Sequence, residues 1–268
     1  MRWSVIVLFG VFTVVSLYPM IWLLTNSFKT DFDLFEASWA LPEVWHWENY
    51  RRAWDFGIAR YLINSVLVTT VSVSLTVTVS LMAAYALSRF RFRGQTAFLF
   101  FILGGLMLAP EVSLLPLFRI LQQLGIYNTY LAMILPYVAF GIPFVTFLMR
   151  SYIMGLPREL EEAAYIDGAG PLGVLRNVIV PLSRPIIASA ALIEAMRVWN
   201  EFMFALTFIS SEDLKTLPIG IMSFVSALQT EWTVVMAALV LSALPMIVLF
   251  LATQRQYIEG LTAGAIKG

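Results

Sequence analysis

The chain has 268 residues, of which 60% are hydrophobic and 13% charged, and its 17 basic residues balance 17 acidic ones. A soluble domain carries about 45–50% apolar and about 25% charged residues. The composition therefore argues against a soluble enzyme, and it excludes a disordered chain and a nucleic-acid binder driven by a basic field. With no cysteine, disulfides, thiolate metal sites and thiol nucleophiles drop out as well. What remains is a polytopic membrane protein.

A helix needs about 20 apolar residues to cross the hydrocarbon core. The first charge-free stretch, Trp3 to Phe28, is far longer than the about 7–15 apolar residues of a signal peptide. No small-residue cleavage site follows it closely, so a retained first helix is expected. Further apolar stretches place spans at about 3–25, 62–88, 95–115, 130–150, 185–210 and 232–254. Their continuity excludes the alternation of a β-barrel. Lipid requires the backbone to bond internally, so all six are predicted to be helical. Two stretches fit poorly as spans. Val112 to Asn128 contains Pro116, Arg119 and Gly125, and Thr216 to Thr230 is too short to cross; both read as interfacial or re-entrant pieces. One membrane domain with no appended soluble domain is expected.

Orientation follows the distribution of basic residues. With the N-terminus inside, ten of the 17 fall in inner segments and six in outer ones. The run Arg89-Phe90-Arg91-Phe92-Arg93 anchors the second-to-third turn inside. Both termini are then cytoplasmic.

The longest inner loop, 150–184, reads as a helix–turn–helix. Pro157 suits a first helical position, and Glu159, Glu161 and Glu162 favour the positive end of the helix dipole. Ala163 and Ala164 are small helix formers that let a partner surface come close. Gly168 is placed for a left-handed stop, Pro171 starts a second short helix and Pro181 ends it. Charged helices ending in glycine are common, but the spacing here is more specific. Glu162-Ala163-Ala164, three residues, Gly168, nine residues, then Val178-Ile179-Val180-Pro181 resembles the EAA loop of ABC importer permeases. Val178 and Val180 stand where that family usually has Ile and Leu. Asn26-Ser27-Phe28-Lys29, Pro42, Glu48-Asn49-Tyr50, Trp199-Asn200-Glu201-Phe202 and the tail from Gly260 to Gly268 are similar to the carbohydrate-uptake branch of these permeases. Within it, the chain resembles the smaller permease subunit of maltose-type importers.

The resemblance implies an all-α integral membrane protein in the cell membrane of a prokaryote. Its partners would be a second, larger permease, two copies of a cytoplasmic ATPase, an extracytoplasmic solute-binding protein and the lipid bilayer, with no nucleic acid. Glu161, Glu162, Ala163, Ala164, Asp167, Gly168, Ala169 and Pro181 would form the hairpin that rests on the ATPase. Gly260, Thr262, Gly264 and Lys267 would be a tail reaching toward the same interface. No cofactor is expected on this chain; ATP and Mg would be held by the ATPase. The sequence agrees that it lacks a Gly-x-x-x-x-Gly-Lys-Ser/Thr loop.

Glu194, Arg197 and Glu201 interrupt the fifth span at helical spacing. Each charge at the bilayer centre costs about 2.5–3.5 kcal/mol, so the three should face protein or water, with Arg197 neutralising one neighbour. They either fix packing against the partner permease or line the translocation path. Trp199 and Asn200 have the stacking and amide chemistry that suits a sugar, although ordinary aromatic packing is the favoured reading in a chain with 20 Phe and 8 Trp. Lone His46 supports no metal cluster or triad. An ion-coupled secondary transporter would need carboxylates or broken helices in related halves, and a channel a repeated filter; neither pattern is visible. A permease for a non-sugar solute remains the alternative.

Overall fold

The computed structural model describes the backbone of residues 2–225 and 230–265, and every regular element among them is helical. In chain order these are α1 (Arg2–Asn26), α2 (Asp31–Glu36), α3 (Glu48–Ala53), α4 (Ala59–Arg89), α5 (Gln95–Gly104), α6 (Leu114–Gln123), α7 (Tyr130–Met154), α8 (Glu159–Ile166), α9 (Pro171–Val174), α10 (Val180–Leu182), α11 (Arg184–Trp199), α12 (Met203–Phe208), α13 (Leu217–Met222) and α14 (Trp232–Ala265). Four helices are long and apolar enough to cross a membrane unaided: α1, α4 with its leading turns, α7 and α14. Two bent pairs raise the number to six if each counts as one span.

The bends have local causes. The stretch read as a span at 95–115 leaves the helix at Gly104-Gly105 and turns by 94° between Met107 and Pro110. Ala109 precedes Pro110 and is extended (φ −70°, ψ 125°), the conformation a following proline favours. The stretch read at 185–210 is interrupted at Asn200-Glu201-Phe202, which separates α11 from α12. Pro157 lies ahead of α8 instead of opening it, and the last helix extends well past 254, to Ala265.

The chain packs as two compact units, Met1–Ile63 with Thr216–Pro245 and Asn64–Lys215 with Met246–Gly268. In the first, two segments singled out in the sequence lock together. Asn49 Nδ2 donates to the carbonyls of Ser27 (2.9 Å) and Lys29 (2.8 Å), and the Ser27 and Tyr50 hydroxyls lie 2.6 Å apart. Phe28 sits among Trp45, Trp47 and Tyr50. Lys29 is buried and donates to the Ala37 carbonyl at 2.8 Å; burial holds its ammonium below the usual lysine range, partly offset by Asp33. Asp31 caps the start of α14, accepting from Thr233 N (2.9 Å), Thr233 Oγ1 (2.8 Å) and Trp232 N (3.2 Å). These bonds satisfy amides that a helix N-terminus otherwise leaves open.

The second unit is organised around α7, which packs against α5, α11 and α12. Its apolar core joins Leu81, Ala84 and Tyr85 of α4 to Val145, Met149 and Ile153 of α7, Val174 and Ile179 of the hairpin, and Ala190 of α11. Where these side chains lie within the bilayer, the contact is held by van der Waals packing and not by release of water. The core thus seats the 155–183 hairpin against two long helices.

Candidate functional site

The hairpin after α7 is stopped by a glycine. Gly168 has φ +84°, and its amide bonds Tyr165 O at 3.0 Å while Ala169 N bonds Ala164 O at 2.9 Å. This pair of bonds is the Schellman closure of a helix C-terminus. Ala164 and Ala169 both pack against the core, as the motif's apolar contact requires. Pro171 opens the second helix of the hairpin at its first turn. That helix runs to Leu182, carrying an exposed Pro181 near its end, and the chain then turns by 77° into α11.

The residues carried over from the resemblance divide by burial. Glu162, Ala163, Asp167 and Gly168 are exposed, together with Ile166, whose exposure reaches 87%. Glu161 instead points inward. Its Oε1 accepts from Arg89 Nε at 2.6 Å, both side chains being 7% exposed. Arg89 Nη2 also donates to Leu156 O at 3.1 Å. The Tyr85 hydroxyl lies 3.3 Å from that of Tyr165 and 3.4 Å from Pro171 O. Arg89 and Tyr85 were not singled out as site residues in the sequence. No spacing signal relates positions 85–89 to 161–171; only an arginine at a span boundary in a charge-poor chain hinted at one.

The charges of the fifth span are also brought into order. Glu194 is 2% exposed, and both its oxygens accept from Arg197, at 2.5 and 2.9 Å. Arg197 Nη2 donates further to Tyr137 O at 2.5 Å. Glu201 does not pair with Arg197. Its carboxylate accepts from Tyr137 Oη (2.6 Å), Phe204 N (2.8 Å) and Ala205 N (3.2 Å). It therefore caps α12 across the helix break, and Phe204 and Phe208 stack behind it with ring centroids 5.4 Å apart. Gly141 of α7 lets α11 approach: a Cβ there would lie 2.8 Å from both Glu194 Cδ and Thr76 Cγ2. Tyr137 and Gly141 were missed because neither carries a charge nor stands in a motif. Trp199 is buried, in keeping with a packing role, while Asn200 is exposed and donates to Met196 O at 2.8 Å. Gly260, Thr262 and Gly264 lie on the backbone of α14, and Lys267 lies outside the described residues.

Two asparagines fasten the segment after α12. Asn128 has φ +57°; its Oδ1 accepts from Ser210 N and Ser211 N, both at 2.9 Å, and its Nδ2 donates to Ser211 Oγ at 2.6 Å. Asn64 Nδ2 donates to Asp213 O and Lys215 O, each at 2.8 Å, and Tyr130 Oη donates to Asn64 Oδ1 at 2.7 Å.

Residues 76–257, which include the hairpin and the fifth span, match the family model of binding-protein-dependent transport system inner membrane components. The probable ABC transporter permease protein YurM of Bacillus subtilis is 48% identical over 265 residues, covering 99% of this chain and 88% of that protein. The trehalose/maltose transport system permease protein MalG of Thermococcus litoralis is 37% identical, covering 95% and 93%. A chain from the crystal structure of a bacterial ABC transporter involved in the import of the acidic polysaccharide alginate superposes with a TM-score of 0.84 at 25% identity, covering 94% of both chains. The chain belongs to the family of binding-protein-dependent transport system inner membrane components.

Proposed function

We propose that this chain is the sugar-importing permease half of an ATP-driven transporter, taking a di- or oligosaccharide from a binding protein. It is a non-catalytic, multi-pass membrane subunit, and the transporter it serves works with a solute-binding protein. Sugar as the substrate class is supported by the names of its relatives, trehalose/maltose and diacetylchitobiose permeases among them. Energy would come from two copies of a cytoplasmic ATPase holding ATP and Mg, and the gate would be completed by a second, larger permease. The basic residues favour cytoplasmic termini, which puts the 150–184 hairpin on the ATPase side of a prokaryotic cell membrane.

The observation that carries the coupling reading is the exposed face of α8. Glu162, Ala163, Ile166 and Asp167 stand together on a helix whose opposite side is anchored in the core. Ile166 and Ala163 give that face an apolar centre rimmed by two carboxylates, the pattern of a protein interface. Closure of the ATPase dimer would push this helix as one piece and tilt the spans behind it.

Glu162→Lys and Gly168→Pro test the reading in the complete transporter. Both variants should insert normally, lose the ATPase on pull-down and lose uptake. Normal pull-down and normal transport by both would show that the hairpin is not the coupling element. A panel of sugars titrated into the purified cognate binding protein tests the substrate class.

A further inference from the structure

Of the acidic residues on α8, Glu159 and Glu162 are exposed and Glu161 is not. Glu161 is spent on Arg89, the last residue of α4, in a contact almost closed to solvent. A buried ion pair adds little net stability over an apolar pair of the same volume, and its best-attested use is to fix one arrangement against others. Here it is reinforced by neighbouring bonds at the same end of α4. Arg89 also holds the Leu156 carbonyl that leads into the hairpin, and Tyr85, one turn earlier on α4, reaches Tyr165 and Pro171 on its two arms. Arg150 of α7 donates to Leu87 O at 3.4 Å, tying the same end of α4 to the helix that precedes the hairpin. The C-terminal end of α4 is thereby bonded to the start of α8, the end of α8 and the start of α9.

We propose that Arg89 is a positioning residue of energy coupling: its ion pair with Glu161 welds the hairpin to α4, so that a push delivered to the hairpin moves α4 with it. This rests on the docking reading above. Core packing resists displacement but is non-directional. A clamp of charge and hydrogen bonds fixes one register, because any slip strands a carboxylate and a guanidinium away from water.

Two measurements on the assembled transporter test it. The chain has no cysteine, so a pair introduced at exposed Met82 of α4 and Glu159 of α8 can be spin-labelled with no background from this chain. Their separation should be the same in nucleotide-free and ATP-trapped complexes; a change of about 5 Å, one helical turn, would overturn the weld. In parallel, R89Q and E161Q should still pull down the ATPase, yet move at least about tenfold less sugar per ATP hydrolysed. The exchange R89E/E161R should restore part of that ratio, because a carboxylate at 89 re-forms the ion pair but cannot donate to Leu156 O. Singles that keep the wild-type ratio, or an exchange that restores nothing, would overturn the proposal. E162K separates the two ideas, because it loses the ATPase if the docking reading holds, whatever Arg89 does.

Discussion

Arg197→Ala isolates the energetics of the charges inside the fifth span. Arg197 gives Glu194 two hydrogen bonds, at 2.5 and 2.9 Å, and gives Tyr137 O a third at 2.5 Å. The Glu194 side chain is 2% exposed and that of Arg197 35%. Truncating the arginine leaves a buried carboxylate without its counter-ion, a change that costs about 3–5 kcal/mol in protein interiors. Because the arginine is only partly enclosed by the chain, the expectation is set at the lower end, about 3 kcal/mol. Melting should fall, by fewer degrees per kcal/mol than in a single small domain. The assay is thermal unfolding of the purified transporter in lipid nanodiscs. Arg197→Ala with Glu194→Gln removes the stranded charge and should recover most of the loss. Arg197→Ala with Glu201→Ala should recover nothing and melt lower still, because Glu201 is held by Tyr137 and by the amides of α12. Recovery in the Glu201 double variant, and not in the Glu194 one, would refute the pairing.

Gly141→Ala should destabilise by about 1–3 kcal/mol through overpacking, since its methyl would meet Thr76 and the Glu194 carboxylate; unchanged melting would mean that α7 and α11 have room between them. Asp31→Ala should cost about 0.5–2 kcal/mol by uncapping α14, and Asp31→Asn should retain most of it; equal losses in the two variants would discount the cap. Asn128→Ala should raise hydrogen exchange at Ser210 and Ser211, whose amides it binds, by an opening free energy lowered about 1–3 kcal/mol, and unchanged exchange there would contradict the clamp.

The apolar runs made the helices legible, because membrane spans announce themselves by length and lack of charge. The hairpin was legible for a different reason. Its glycine stop, its alanines and its prolines act over a few residues, so local chemistry alone places Gly168 in the left-handed region and Pro171 at a helix start. What stayed hidden lies in pairings across 60 or more residues. Glu161 looked like one more acid of a solvent-facing first turn, and only the packing of α8 on α4 turns it toward Arg89. The break after Trp199 was hidden as well. Asn200-Glu201-Phe202 contains neither proline nor glycine, and the interruption is stabilised by Glu201 turning its carboxylate onto the next helix's amides.

The same geometry narrows what the fifth span can offer a passing solute. Three charges at helical spacing suggested a polar stripe, yet both carboxylates are already hydrogen-bonded from within the protein. Glu194 is enclosed by Arg197, and Glu201 has one donor on α7 and two on α12. Drawing either toward a sugar would forfeit two or three hydrogen bonds to charge, each worth about 1.5–3 kcal/mol, for contacts that must form and break on every cycle. Arg197 and Asn200 are different. Arg197 keeps a third of its side chain open, and Asn200 is exposed with its carbonyl oxygen uncommitted among the bonds of its side chain. Of the charged and amide side chains on this segment, a guanidinium edge and an amide are thus left open, and the carboxylates hold the broken helix in place.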